Sequence, residues 1–287
     1  MWLVTGASQG LGLAITLSAL RAGHKVIAGA RKPEVAAKAH PEVEAEGGHW
    51  LQLDVDSKNT TEVIRKAVED VGGVDVVVNN AGWYLNGTIE DLTEDEMQAS
   101  MDTNFWGPIR VIKGVLPSMR ARKSGTIVAI SSIHAIYPIV SGALYCCPKA
   151  AHDMLQAVLG HELASFNIRT ITINAGLYKT DVLANSKQAS NGFSDAYLSS
   201  SVGQLLGNPK KFGDRLVEIV DGTGRAQGLK RNQSRFLFGR DAIKLSDIAV
   251  KDMLDDFQAS KDIATSTDFE GHIGDGAAIV GDIQRRT

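Results

Sequence analysis

Short apolar runs alternate along this chain with longer stretches in which apolar residues recur every three or four positions. Trp2-Leu3-Val4, Lys25 to Arg31, Trp50 to Val55, Val74 to Val78, Thr126 to Ile130 and Arg169 to Ile173 read as buried strands, and Arg235 to Gly239 as a seventh. Leu13, Ile15, Leu17 and Leu20 begin a helical pattern, and further helical stretches run over 57–71, 93–122, 145–166 and 208–221. Runs apolar on both faces, separated by helices, predict a parallel sheet covered on both sides. The pair Gly107-Pro108 is expected to kink or break the long helix, because proline lacks the N–H and crowds the preceding turn.

Past the sixth strand the pattern loosens. Ser, Asn, Gly and Ala dominate 180–207, and a substrate lid is expected at about 181–207. Ile243, Leu245, Ile248, Ala249, Met253, Leu254 and Phe257 form a helical apolar stripe, expected to pack on the protein's own core. The predicted organisation is one domain, 1–240, with an extension, 241–287, packed on it. The polar stretch 260–287 receives no assignment.

The strand ends carry the candidate chemistry. Thr5-Gly6-Ala7-Ser8-Gln9-Gly10-Leu11-Gly12 joins the first strand to the first helix. Strand, glycine turn and helix N-terminus form the context in which backbone N–H groups hold a pyrophosphate. The second strand ends in Ala30-Arg31-Lys32, where an NAD site would place a carboxylate. A guanidinium there favours the 2′-phosphate of NADP. Asp54 suits either an adenine amino group or the cap of the following helix. Asn80, Ser132 and Ala175-Gly176 close other strands, at the edge where ligands bind in open parallel sheets. The fold expected is therefore α/β, a Rossmann-type three-layer sandwich with a seven-stranded parallel sheet.

Composition narrows the alternatives. A net charge of −3 gives no general reason to bind nucleic acid or an anionic membrane. No apolar run approaches the ~20 residues that span a bilayer. The start of the chain has no basic leader, and the only cysteines, Cys146 and Cys147, are adjacent and expected to pack rather than pair. A cytoplasmic location is expected. The histidines show no metal spacing, so no metal is expected.

Tyr145 and Lys149 stand four apart on a predicted helix, hence on one face. A cation about 4 Å from the phenol, at an effective dielectric of about 20, contributes roughly 4 kcal/mol. That would lower the tyrosine pKa by up to about three units, toward neutral pH.

Together these residues resemble the single-domain short-chain dehydrogenase/reductase family. The matching motifs are Thr5-Gly6-x3-Gly10-x-Gly12, Asp54, Asn79-Asn80-Ala81-Gly82, Asn104, Ser132, Tyr145-x3-Lys149 and Gly176-x3-Thr180, over about residues 1–182. The stretch 91–122 looks most like carbonyl reductases acting on lipophilic ketones. The resemblance implies Tyr145 as general acid or base, Lys149 as the residue that tunes it and holds the nicotinamide ribose, and Ser132 as the donor to the substrate carbonyl. Asn104 would shape the long helix and assist a proton relay. It further implies an NADP(H) site. In it Gly6, Ser8, Gln9, Gly10, Leu11 and Gly12 meet the pyrophosphate and Arg31 the 2′-phosphate. Asp54 and Val55 border the adenine, Asn80 lies by the adenosine ribose and Thr180 meets the carboxamide, with Ala81, Gly82, Gly176 and Leu177 also in the cofactor site.

Three departures stand out: Ala175 where the family usually has proline, Pro148 where a small residue is usual, and Gln9 in place of a basic residue. Trp83 and His134 are candidate substrate-pocket residues; Tyr84 and Trp106 are further candidate pocket walls. The expected activity is an NADPH-dependent reductase of a ketone or aldehyde, reversible in principle, from a homodimer or homotetramer. A non-catalytic NADP(H)-binding sensor or scaffold is the alternative, and an enzyme running another step on a complex natural product a third.

Overall fold

The computed structural model describes residues 1–180, 186–192 and 207–266. Seven strands form one parallel sheet: β1 (Trp2–Thr5), β2 (Val26–Ala30), β3 (His49–Gln52), β4 (Val76–Asn79), β6 (Gly125–Ser132), β7 (Ile168–Ala175) and β9 (Arg235–Phe238). Their order is β3-β2-β1-β4-β6-β7-β9, so the winding reverses between β1 and β4. That reversal opens a crevice at the carboxyl ends of the strands.

Alternate residues of β1 serve opposite cores. Trp2 and Val4 join Ile15, Phe212 and Leu216 under α1 (Gly10–Arg21) and α8 (Pro209–Asp221). Leu3 joins Ile64, Val111, Val115, Met119 and Leu159 under α4 (Thr60–Asp70), α6 (Gly107–Arg122) and α7 (Ala143–Glu162). The period-2 pleat sends neighbours to opposite faces, and both faces are helix-covered. Two short helices, α2 (Pro33–Ala39) and α3 (Glu42–Ala45), lie between β2 and β3.

The expected break at Gly107-Pro108 is instead a change of helical register. Thr93 caps α5 (Glu94–Met101) in a reciprocal box with Glu96. A π-helical turn, Asp102–Trp106, then leads directly into α6. Gly107 N–H reaches back to the Asp102 carbonyl, and Pro108 falls in the first turn of α6, where a missing donor is tolerated.

Two features escaped the hydrophobic pattern. β5 (Leu85–Asn86) and β8 (Lys187–Gln188) pair in parallel as a second small sheet, docking part of the expected lid onto the loop after β4. The lid's remaining residues, 181–185 and 193–206, and the tail 267–287 lie outside the described residues. The extension begins with α9 (Arg240–Thr265). Its expected packing on the domain needs correction: Ala242 and Ser246 are buried, but Ile243, Val250, Met253, Leu254 and Phe257 are all at least 50% exposed. The stripe is amphipathic as read, but the helix runs past the core that would cover it. Among the described residues no helix is long and apolar enough to cross a membrane.

Candidate active site

The β1–α1 turn is shaped by three glycines with different reasons. Gly6 and Gly10 adopt φ of +63° and +55°, the left-handed region that favours glycine. Gly12 has no room for a side chain: a Cβ there would stand 2.2 Å from the Gly6 carbonyl oxygen and 2.5 Å from Asn80 Nδ2. Ser8 and Leu11 are half-buried and Gln9, at the N-cap of α1, is exposed. Asn80 fastens this turn to β4. Its Nδ2 donates to the carbonyls of Thr5 (2.9 Å) and Gly6 (3.2 Å). The backbone N–H groups of Asn80 and Ala81 both donate to Thr5 Oγ1. Asn80, expected beside a ribose, thus spends its side-chain amide on the turn itself.

Arg31 lies exposed just past β2, and its charge acts on Asp56. Burial raises the Asp56 carboxyl above its ordinary range, although the Thr103 hydroxyl donates to it. Asp54 does not cap α4, which starts at Thr60 after Asn59. Its carboxylate is exposed and accepts only the Asp56 N–H among described partners, while Val55 beside it is buried.

At the end of β6, Ser132 is buried and lies near enough to Tyr145 to lower the cost of its phenolate. Ser132 Oγ also accepts the His134 N–H at 3.1 Å. Lys149 is buried one turn along α7, and its ammonium donates to the Ile130 carbonyl at 3.0 Å. Asn104, in the π-helical turn, donates through Nδ2 to the carbonyls of Trp83 and Ser100, and its Oδ1 accepts the Trp83 N–H. Gly82 lies between them: a Cβ there would be 2.7 Å from Asn104 Oδ1 and 3.4 Å from Lys149 Nζ. The structure thus brings Asn104, Ser132, Tyr145, Lys149 and Gly82 to one place, at the strand edge that also carries the glycine turn.

The expected electrostatics of the pair require correction. The Tyr145 pKa is raised above its ordinary value, first by burial, against a lowering contribution from Ser132. Lys149 is not among the groups that move it; its ammonium is 5.9 Å from the Tyr145 ring centroid, turned to Ile130. Burial also lowers Lys149 to about 8, opposed by the Asp153 carboxylate. Desolvation dominates for both: Lys149 is buried and Tyr145 half-buried on the inward side of α7, so their charged forms lose water without a compensating contact to each other.

Pro148 leaves α7 unbroken. Ser100, fully buried on α5, donates its hydroxyl to the Leu144 carbonyl, the acceptor that Pro148 cannot reach. Trp83 donates its indole N–H to Thr103, and Lys187 lies over its ring at 4.2 Å. His134 is bonded through Nδ1 to the Tyr137 carbonyl, and burial lowers its pKa. Tyr84 meets Tyr145 edge-on at 5.1 Å, whereas Trp106 is 44% exposed on the surface.

A polar chain behind Ser132 was missed from sequence. Asn174 Nδ2 donates to the Ser132 carbonyl (3.0 Å) and to Asp153 (2.7 Å), and Arg235 donates to both Asp153 and Asn174. The available signal was Asp153, four residues past Lys149 on the same helix face. On the far side, Thr180 lies against Gly10, and the Gly176 N–H donates to the Phe238 carbonyl.

Comparison with known proteins agrees with this arrangement. A family model described as short chain dehydrogenase matches residues 1–191. The chain is 48% identical over 180 residues to oxidoreductase claN of Passalora fulva, covering 62% of this chain and 82% of that one. It is 32% identical over 254 residues to oxidoreductase BOA17 of Botryotinia fuckeliana, covering 85% and 90%. Among solved structures, a short-chain dehydrogenase from Streptomyces avermitilis superposes with a TM-score of 0.83 at 29% identity, over 93% of this chain and 98% of that one. A fold, a family-length match and a co-located Ser, Tyr, Lys and Asn set converge: this chain belongs to the short-chain dehydrogenase/reductase family of oxidoreductases.

Proposed function

We propose that the chain is an NADPH-dependent reductase of a ketone or aldehyde, reversible in principle, acting on a lipophilic or secondary-metabolite-like substrate. The observation that carries this reading is the convergence of Ser132 and Tyr145 beside Lys149 and Asn104. The glycine cradle supports the cofactor part, since the absence of a Cβ at Gly12 leaves backbone close to the α1 N-terminus. Exposed Arg31 supports the phosphorylated dinucleotide, through a charge-assisted contact to the 2′-phosphate. A relative from Bacteroides thetaiotaomicron, 32% identical over 226 residues, is a 3-ketodihydrosphingosine reductase, which supports a lipophilic ketone.

When bound, NADPH supplies the hydride. Ser132 then orients the substrate oxygen and donates to it as negative charge develops. Tyr145 delivers the proton, and Lys149 holds the ribose. Asn104 keeps the loop at Trp83 in register with α5. Gly6, Ser8, Gln9, Gly10, Leu11 and Gly12 hold the pyrophosphate, Asp54 and Val55 the adenine, Asn80, Ala81 and Gly82 the adenosine side, and Gly176, Leu177 and Thr180 the carboxamide. A cytoplasmic homodimer or homotetramer belongs to the same proposal.

The test is NADPH consumption across a panel of aliphatic and aromatic carbonyls, wild type against Tyr145→Phe. Loss of about 10²–10⁴-fold in turnover with retained NADPH binding is expected; turnover that survives the change rejects the mechanism. The raised Tyr145 pKa favours a second reading, a non-catalytic NADP(H)-binding sensor. It requires NADPH binding with no turnover of any carbonyl in the panel.

A further inference from the structure

The turn after β7 is held by a residue outside the span that the family model matches. Asp241 lies in the first turn of α9. Its Oδ2 accepts the Leu177 N–H at 2.6 Å. The same carboxylate lies flat against Gly176, where a Cβ would stand 2.2 Å from Oδ1 and 2.3 Å from Oδ2. The preceding N–H, that of Gly176, donates to the Phe238 carbonyl at 2.8 Å. Gly239, at φ +115°, turns the chain between these two anchors, and a Cβ there would be 2.5 Å from Asp241 Oδ1.

Two successive N–H groups of the 175–177 turn are thus fixed by residues 238 and 241. The turn lacks the other common restraint: Ala175 stands where a proline would lock φ. A hydrogen bond to a carboxylate is stronger than one between neutral groups, so a single acidic side chain can substitute for that lock.

We propose that Asp241 is a positioning residue for dinucleotide binding, and that the first turn of α9 is part of that site. Asp241 tethers 175–177, so that Leu177 and Thr180 present a pre-set edge to the nicotinamide end of the ligand. The tether makes this segment of the C-terminal extension a component of the binding site. This inference rests on the NADP(H) reading above.

Hydrogen exchange of the unliganded protein tests the tether directly. In Asp241→Ala the amides of 176–178 are expected to exchange at least about tenfold faster, and Asp241→Asn, which keeps an oxygen acceptor, to restore most of the protection. Fluorescence titration with NADPH then reads the positioning: Asp241→Ala is expected to weaken binding about fivefold or more, and adding Ala175→Pro to recover it. Gly176→Ala, which displaces the carboxylate while leaving Asp241 in place, is expected to reproduce both effects. Unchanged exchange overturns the tether. Faster exchange with unchanged NADPH affinity overturns the positioning role. Wild-type protein that does not bind NADPH overturns the dinucleotide reading and the positioning role together, while the exchange result still decides the tether.

Discussion

The hydroxyl of Ser100 donates to the carbonyl of Leu144, the one acceptor in α7 from which Pro148 withholds a helical partner. Ser100 Oγ also receives Asn104 Nδ2, at 3.3 Å. A residue two positions before the π-helical segment therefore stabilises the helix that carries Tyr145 and Lys149. The proline looks like a defect in that helix, and the structure has built its replacement donor on α5.

Ser100→Ala is expected to cost about 1–3 kcal/mol, the penalty of a buried carbonyl left without a donor. The same change in a Pro148→Ala background is expected to cost less, because residue 148 then supplies its own N–H. Urea unfolding of the four proteins measures the cycle. Equal costs in both backgrounds would show that Ser100 does not serve Leu144.

Two buried bases on α7 both make stability rise with pH, over separate windows. Lys149 falls from 10.5 to about 8 in the folded protein. Between those values the unfolded chain binds more protons, so stability rises as pH climbs from about 8 toward 10.5, by about 3 kcal/mol in all. His152 falls from 6.5 to about 3, first through burial and then through Lys149. Its contribution is complete above 6.5 and is lost as pH falls toward 3, up to about 5 kcal/mol. Lys149→Met is expected to flatten the alkaline rise and His152→Leu the acid loss, each read as the change in unfolding free energy against pH. Parallel wild-type and variant curves would contradict the assignments.

Arg31 is the only basic side chain proposed to meet the 2′-phosphate. Arg31→Ala is expected to lower kcat/KM with NADPH by about 10–100-fold, the range of a charge-assisted hydrogen bond, and to leave NADH little changed. Steady-state kinetics with both dinucleotides decides it. An equal drop with each would assign Arg31 to folding rather than selection.

Strands, their parallel arrangement and most helix bounds were legible in the chain. The run Val76-Val77-Val78 is apolar on both faces, and a strand with that character has no stable place except inside a covered sheet. The glycines of the first turn were legible for the same local reason, since positive φ at Gly6 and Gly10 is a demand on one residue's backbone. Asp241 and Arg235 carried no such mark: their partners, Leu177 and Asp153, are 64 and 82 residues away in sequence.

Residue type and spacing by themselves determined the layered α/β fold and the glycine turn, which depend on pattern periods and on backbone freedom, properties of short stretches; the candidate set of Asn104, Ser132, Tyr145 and Lys149 followed from the resemblance of its motifs to the family. Tertiary structure alone decided that Lys149 turns to the Ile130 carbonyl, that burial raises Tyr145, that Ser100 completes the helix at Pro148, and that α9 leaves its apolar stripe uncovered. Desolvation and hydrogen-bond satisfaction depend on which distant segments arrive at a site, and no local pattern encodes that arrival.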